Sequence, residues 1–207
     1  MLKELSLTEF TTRLASEQPA PGGGSASAAV AALGAGLLIM TCNLTIGREK
    51  FEDVEEDLME VREELEPIRV MLLASIDRDS EAYDAVMDAF GMPRATAEEK
   101  AERKTAIQLA MRKASEVPMD MARRAGRALD LASIVAKKGN PNALSDAGCG
   151  ARFLEAGLRG ALYNVRINLP SIKDEAYVAE MSRDVERLSQ RADEAMVKVM
   201  AVIETGL

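Results

Sequence analysis

Asp79 stands where a helix calls for an apolar side chain. From Asp53 to Phe90 the residues Val54, Leu58, Val61, Leu65, Ile68, Leu72, Ile76, Tyr83, Met87 and Phe90 recur at helical spacing, the mark of an amphipathic helix. Between Ile76 and Tyr83 that register asks for an apolar residue at position 79 or 80 and meets Asp79 and Ser80. A carboxylate on a buried face costs several kcal/mol unless it is paired or performs chemistry. Asp77 and Glu81 flank it and point elsewhere on the helical wheel. The second stretch suited to chemistry is Pro21-Gly22-Gly23-Gly24-Ser25. Three glycines leave an unhindered backbone, and Ser25 is a natural N-cap for the run that follows. Free N–H groups at a positive helix end can hold a carboxylate, a carbonyl or a developing oxyanion. The alternatives are a structural ion pair at Asp79 and a simple turn at the glycines.

What else the chain can do is limited by what it lacks. There is no His among its 207 residues, so no Ser-His-Asp triad, Cys-His pair or His-ligated metal can form. Proton transfer near neutral pH falls to a carboxylate, Lys, Cys, Tyr or solvent. Cys42 and Cys149 are far apart without metal-type spacing and read as buried, reduced thiols of a cytoplasmic protein. With 34 acids against 26 bases, a net charge of −8, only 3% aromatics and no Trp, the chain offers neither the basic face nor the stacking platforms of nucleic-acid binders.

The elements that must position these residues are all helical. Residues 26–46 are Ala, Val, Leu, Ile, Met and Gly with scarcely a polar side chain, a helix apolar on every face that other helices or lipid must surround. It is long enough to span a bilayer, at roughly 20 residues. Its Gly and Ala content, its polar end at Thr41, Asn43 and Thr45, and its isolation point to the central helix of a soluble bundle. Ala28, Ala32 and Gly36 would let another helix approach closely, including one from a second subunit. A capping box at Ser6–Glu9 opens a short helix, and Gly47 ends the central one. Pro67 should kink or split the long segment 53–90. Thr96–Glu99 caps a helix interrupted at Pro118, whose continuation stops at Gly139. Ser145 caps a further helix that Pro170 ends, and Asp174 begins the last. No segment alternates with period two. The fold is a single all-α domain over 1–207, an antiparallel bundle of about five or six helices around a long buried one.

Several short patterns occur together: Pro-Gly-Gly-Gly-Ser-Ala-Ser-Ala at 21–28, Cys-Asn-Leu-Thr-Ile-Gly-Arg-Glu-Lys at 42–50, Asp-Arg-Asp-Ser-Glu-Ala-Tyr-Asp at 77–84, Lys-Gly-Asn-Pro-Asn-Ala-Leu-Ser-Asp-Ala-Gly at 138–148 and Asn-Val-Arg-Ile-Asn-Leu at 164–169. In this order, over nearly the whole chain, they resemble the formiminotransferase-cyclodeaminase C-terminal family, especially its free-standing cyclohydrolase members. The resemblance implies an all-α homodimer acting on one-carbon tetrahydrofolate derivatives with no metal and no cofactor. It aligns Asp79 with an aspartate regarded as catalytic, the residue the helical register singles out independently. It also places Gly22, Gly23, Gly24 and Ser25, Arg48 and Lys50, and Asn140, Asn142 and Asp146 at substrate-binding positions.

Each of these has a plainer reading. Arg48 and Lys50 suit the acidic tail of a folate or serve a helix dipole. Asp146 is an acid in a first helical turn. Asn140 and Asn142 bind a pterin or build a turn, and Tyr83, one turn from Asp79, orients it or packs. The expected activity is hydrolysis of 5,10-methenyltetrahydrofolate to 10-formyltetrahydrofolate, the absence of a formiminotransferase portion favouring it over ammonia-releasing cyclodeamination. A non-catalytic helical adaptor is the rival from another class. No membrane or nucleic-acid partner is expected.

Overall fold

The computed structural model describes residues 1–207. It contains six α-helices and no strand, as the periodicity predicts. They are α1 (Leu7–Leu14), α2 (Gly23–Asn43), α3 (Glu55–Gly91), α4 (Ala97–Lys138), α5 (Leu144–Asn168) and α6 (Glu175–Gly206). Four 3₁₀ turns, Leu2–Glu4, Glu49–Val54, Pro141–Ala143 and Leu169–Ser171, complete the order.

The apolar helix α2 lies between α3 and α5 and packs on α4 behind them. It runs antiparallel to α3, with Ser25 against Ile76 at one end and Asn43 bonded to Arg62 at the other. It is antiparallel to α5 as well, and here glycine permits an unusually close crossing. A Cβ at Gly34 would fall 2.7 Å from the Gly150 carbonyl oxygen, inside van der Waals contact. Helix α6 covers the outer side of α4 and α5. Leu38, Leu58, Leu65, Leu72, Leu129, Leu154 and Leu158 are fully buried at the centre of the bundle.

Both capping boxes form, at Ser6/Glu9 and Thr96/Glu99, and Asp174 accepts a hydrogen bond from the Tyr177 N–H at the start of α6. Three expectations need correction. Ser25 is not the N-cap of α2; Gly22 is, and Ser25 is buried in the first turn. Ser145 likewise lies inside α5, which Ala143 precedes at the cap position.

Neither Pro67 nor Pro118 divides its helix. A proline removes the N–H that would bond the carbonyl four residues earlier, so what matters is where that carbonyl goes. For Pro67 the freed group is on Glu63, which is exposed and open to water. Pro118 is buried, and the Asn168 side-chain amide donates to the freed Ala114 carbonyl at 2.8 Å. One asparagine on α5 thereby keeps α4 continuous.

Candidate active site

The chain enters α2 through Pro19-Ala20-Pro21, and the glycines place the first turn against the middle of α3. The first N–H groups of a helix have no acceptor within it, and here Gly23 and Gly24 carry them. Asp79 of α3 meets this positive end. The Ser25 hydroxyl lies 3.1 Å from Asp79 Oδ2 and 2.9 Å from the Ile76 carbonyl, and can donate to either. Gly24 lies against the same carboxylate so closely that a Cβ there would sit 2.0 Å from Oδ1.

Asp79 is half-buried at the edge of a cavity of about 340 Å³. Gly22, Gly23, Gly24, Ser80, Tyr83, Val86, Met111, Asn164, Ile167 and Asn168 share that lining. No Lys or Arg is among the lining residues, and Asp79 is the one acid. Burial pushes the carboxyl above its ordinary value, while hydrogen bonds from the Ser25 side chain and backbone pull the other way. A desolvated carboxylate without a cationic partner beside an open cavity is suited to receive a cation or a proton.

Its neighbour Asp77 does not point away from the protein. It is buried, accepts from the Leu2 N–H and pairs with Lys3 at 3.6 Å, which ties the N-terminal turn to α3. Of the two thiols expected to be buried, one is and one is not. Cys42 is buried, its pKa pushed up to about 11 by desolvation, and is therefore a poor nucleophile at neutral pH. Cys149 is exposed.

Gly22, Gly23, Gly24 and Ser25 gather round Asp79; Arg48, Lys50, Asn140, Asn142 and Asp146 do not. They belong to the opposite end of α2, about 30 Å away by helical rise. There the Asn140 N–H donates to Thr45 Oγ1 at 2.8 Å and its side-chain amide to the Leu44 carbonyl at 3.2 Å. Asn140 Oδ1 accepts from the Asn142 N–H at 3.0 Å. Within one chain Asn140 is thus a clasp on the end of α2. Lys50 sits 5.5 Å from the Phe51 ring centroid, and Arg48 is exposed. Chain order brings Arg48 and Lys50 close to Cys42 but says nothing of the helix length separating them from Gly22, and Asn140 joins them only through the fold, 95 residues after Thr45.

The cavity also holds Asn164 and Asn168, to which the sequence reading gives no role. A signal exists: two amides one turn apart on a helix whose inward positions are otherwise Leu158, Leu162, Val165 and Leu169. Asn164 donates through Nδ2 to the Gly160 carbonyl at 2.8 Å.

A model of the formiminotransferase-cyclodeaminase family matches residues 6–187. The chain belongs to this family. Among its relatives, methenyltetrahydrofolate cyclohydrolase of Methylorubrum extorquens is 45% identical over 187 residues, 90% of each chain. The formimidoyltransferase-cyclodeaminase of Gallus gallus is 35% identical over 96% of this chain, which spans only 37% of that longer protein. The crystal structure of formiminotetrahydrofolate cyclodeaminase from Thermotoga maritima superposes with a TM-score of 0.88 at 29% identity, covering 99% of this chain and 98% of that one. A family member of matching extent thus carries the cyclodeaminase name, so extent does not separate the two activities.

Proposed function

We propose that the chain is a methenyltetrahydrofolate cyclohydrolase. The observation that carries this is Asp79 as the lone charged group of the lining, unpaired by any Lys or Arg. The methenyl bridge of the substrate is a delocalised amidinium cation, and a fixed carboxylate stabilises it electrostatically. The bridging carbon is already electrophilic. Water adds to it, its oxygen bonding to carbon while one proton passes to Asp79 as general base. In the neutral adduct the carbon–N5 bond then breaks, the hydroxyl loses its proton as the formyl C=O forms, and N5 gains a proton. The balance is substrate cation plus water giving 10-formyl product and one proton, which Asp79 returns to solvent. Unsatisfied N–H groups at the start of α2 are suited to the developing oxygen.

The 45% identity to the cyclohydrolase favours this reading over the deaminase named for the Thermotoga structure. Purified protein should discharge the methenyl chromophore and release no ammonia from the formimino substrate. Ammonia release with an intact chromophore would assign the other activity.

The reading extends to a homodimer. On α2 the residues Ala29, Leu33, Gly36, Leu37 and Met40 line a depression of about 610 Å³ that α1 and α5 flank with Leu7, Phe10 and Phe153. Leu33 is 58% exposed, Ala32 lines the floor of the depression although it is almost fully buried, and Ala28 turns into the protomer's own core. Apart from Lys3 and Arg69 that lining carries no charge, as expected of a surface a second copy covers. If two such helices cross nearly antiparallel, the Arg48–Asn140 end of one approaches the Asp79 end of the other, which would assemble a site the single chain leaves divided. Leu33→Glu should then convert a dimer, seen by light scattering, into monomers of much lower activity. A wild-type monomer of full activity would remove the dimer from the scheme.

A further inference from the structure

We propose that a basic depression on α4 holds the carboxylate-bearing tail of the substrate, an inference that rests on the folate reading above. In a chain of net charge −8, one depression of about 260 Å³ is lined by Arg94, Lys100, Arg103, Lys104 and Lys173, with Ile107 and Gln108 as its only other residues. It contains five cations and no acid.

Two physical readings of such a cluster fail. Cations on helices commonly pair with acids, and further along α4 the residues Arg112, Arg123, Arg124 and Arg127 all do so. None of the five cations of the depression is in a salt bridge. Cations also favour helix C-termini, where they complement the dipole. Lys100, Arg103 and Lys104 lie instead in the first two turns of α4, at its positive end. The acids of that segment are used elsewhere or stay outside the depression: Glu99 closes the capping box, and Glu98 and Glu102 do not line it.

The position links the cluster to the active site. Lys100, Lys104, Ile107, Met111 and Ala114 follow one another at helical spacing along a single face of α4. Met111 and Ala114 line the Asp79 cavity. Lys104 lies seven residues from Met111, about 10 Å by helical rise. The floor is built. Gln108 Nε2 donates to the Ser171 carbonyl at 3.0 Å, and Gln108 Oε1 accepts from the Lys173 N–H at 2.7 Å. Arg103 is held over the Phe90 ring at 5.7 Å and donates to the Phe90 carbonyl at 3.0 Å. A ligand seated against Asp79 with its anionic end directed along α4 meets these cations in turn. Each additional γ-linked glutamate adds one carboxylate, so the depression selects for longer tails. Within one chain Arg48 and Lys50, the cations the sequence offers for this task, lie at the other end of α2, so only a partner copy could bring them to this site.

The test compares KM for monoglutamyl and pentaglutamyl methenyl substrates in the full-length protein. Wild type should favour the longer tail by about tenfold, the effect of roughly two exposed ion pairs, with the preference fading as salt screens it. Lys100→Glu/Lys104→Glu should bring the two KM values together, with Tm close to wild type because both residues are exposed. Arg183→Glu/Lys198→Glu, at two exposed cations of α6 outside the depression, makes the same change in net charge and should keep the preference. Equal KM values for both tails in wild type, a preference that survives the double variant, or one lost instead in Arg48→Glu/Lys50→Glu would each overturn the proposal while leaving the hydrolase reading intact. Failure of wild type to turn over even the monoglutamyl substrate would refute both.

Discussion

Replacing Asp79 by Asn should lower kcat by about 10²- to 10⁴-fold, the usual range for removing a general base, and should not destabilise the fold. The two effects have one cause. Burial raises the Asp79 pKa in the folded protein, so the native state binds its proton more tightly than the unfolded chain does. Stability therefore falls as pH rises from the unfolded carboxylate value, about 3.9, through the folded value, and stays reduced above it. Asn carries no charge to desolvate and still accepts from Ser25. At neutral pH the variant should melt at or above the wild-type temperature, and the gap should close below pH ~4. The acidic limb of kcat/KM, displaced upward from the ordinary Asp range in wild type, should vanish in the variant. A variant with full turnover would end the assignment of Asp79 as base. A variant that is inactive because it melts far below wild type would show a structural carboxylate instead.

How much of this was legible in the sequence depends on whether the information is local. Asp79 was visible because a helical register is a short-range pattern, and a polar residue breaking it is seen within two turns. The helices and their capping boxes were visible for the same reason. Pro67 and Pro118 misled because the penalty of a proline is local but its remedy is not: the Ala114 carbonyl is satisfied by Asn168, 54 residues on. Ser25 resembled a cap until the glycines took that position and left it facing Ile76 and Asp79. Arg48 sits close to α2 in sequence, yet only the length of a straight helix shows which of its ends it serves, and Asn140 reaches that end only through the fold, bonding Thr45 from 95 residues on. Of the basic depression, Arg94, Lys100, Arg103 and Lys104 are neighbours in the chain, but Lys173 joins them only through the fold.

Gly24→Ala should reduce kcat/KM by about 10²-fold, the cost of misplacing a reacting group by an ångström or so, although alanine is the better helix former. A Cβ at position 24 would lie 2.0 Å from Oδ1, 2.4 Å from Cγ and 2.6 Å from Oδ2 of Asp79. All three atoms are nearer than any real contact allows, so the carboxylate must swing away from the start of α2. The backbone itself has no need of glycine here, because Gly24 does not adopt positive φ, and alanine in a helix is favoured by roughly 0.5–1 kcal/mol. Activity should thus fall without a matching fall in Tm. Gly23→Ala meets nothing closer than Asn164 Nδ2 at 3.6 Å, ordinary contact, and should cost far less. The decisive measurement is the double variant. If Gly24 acts only by seating Asp79, then adding Gly24→Ala to Asp79→Asn should cost little beyond Asp79→Asn alone, the non-additivity of groups serving one function. Fully multiplicative losses would mean that the glycine contacts substrate independently of the carboxylate, with the α2 backbone N–H groups binding the reacting oxygen on their own account.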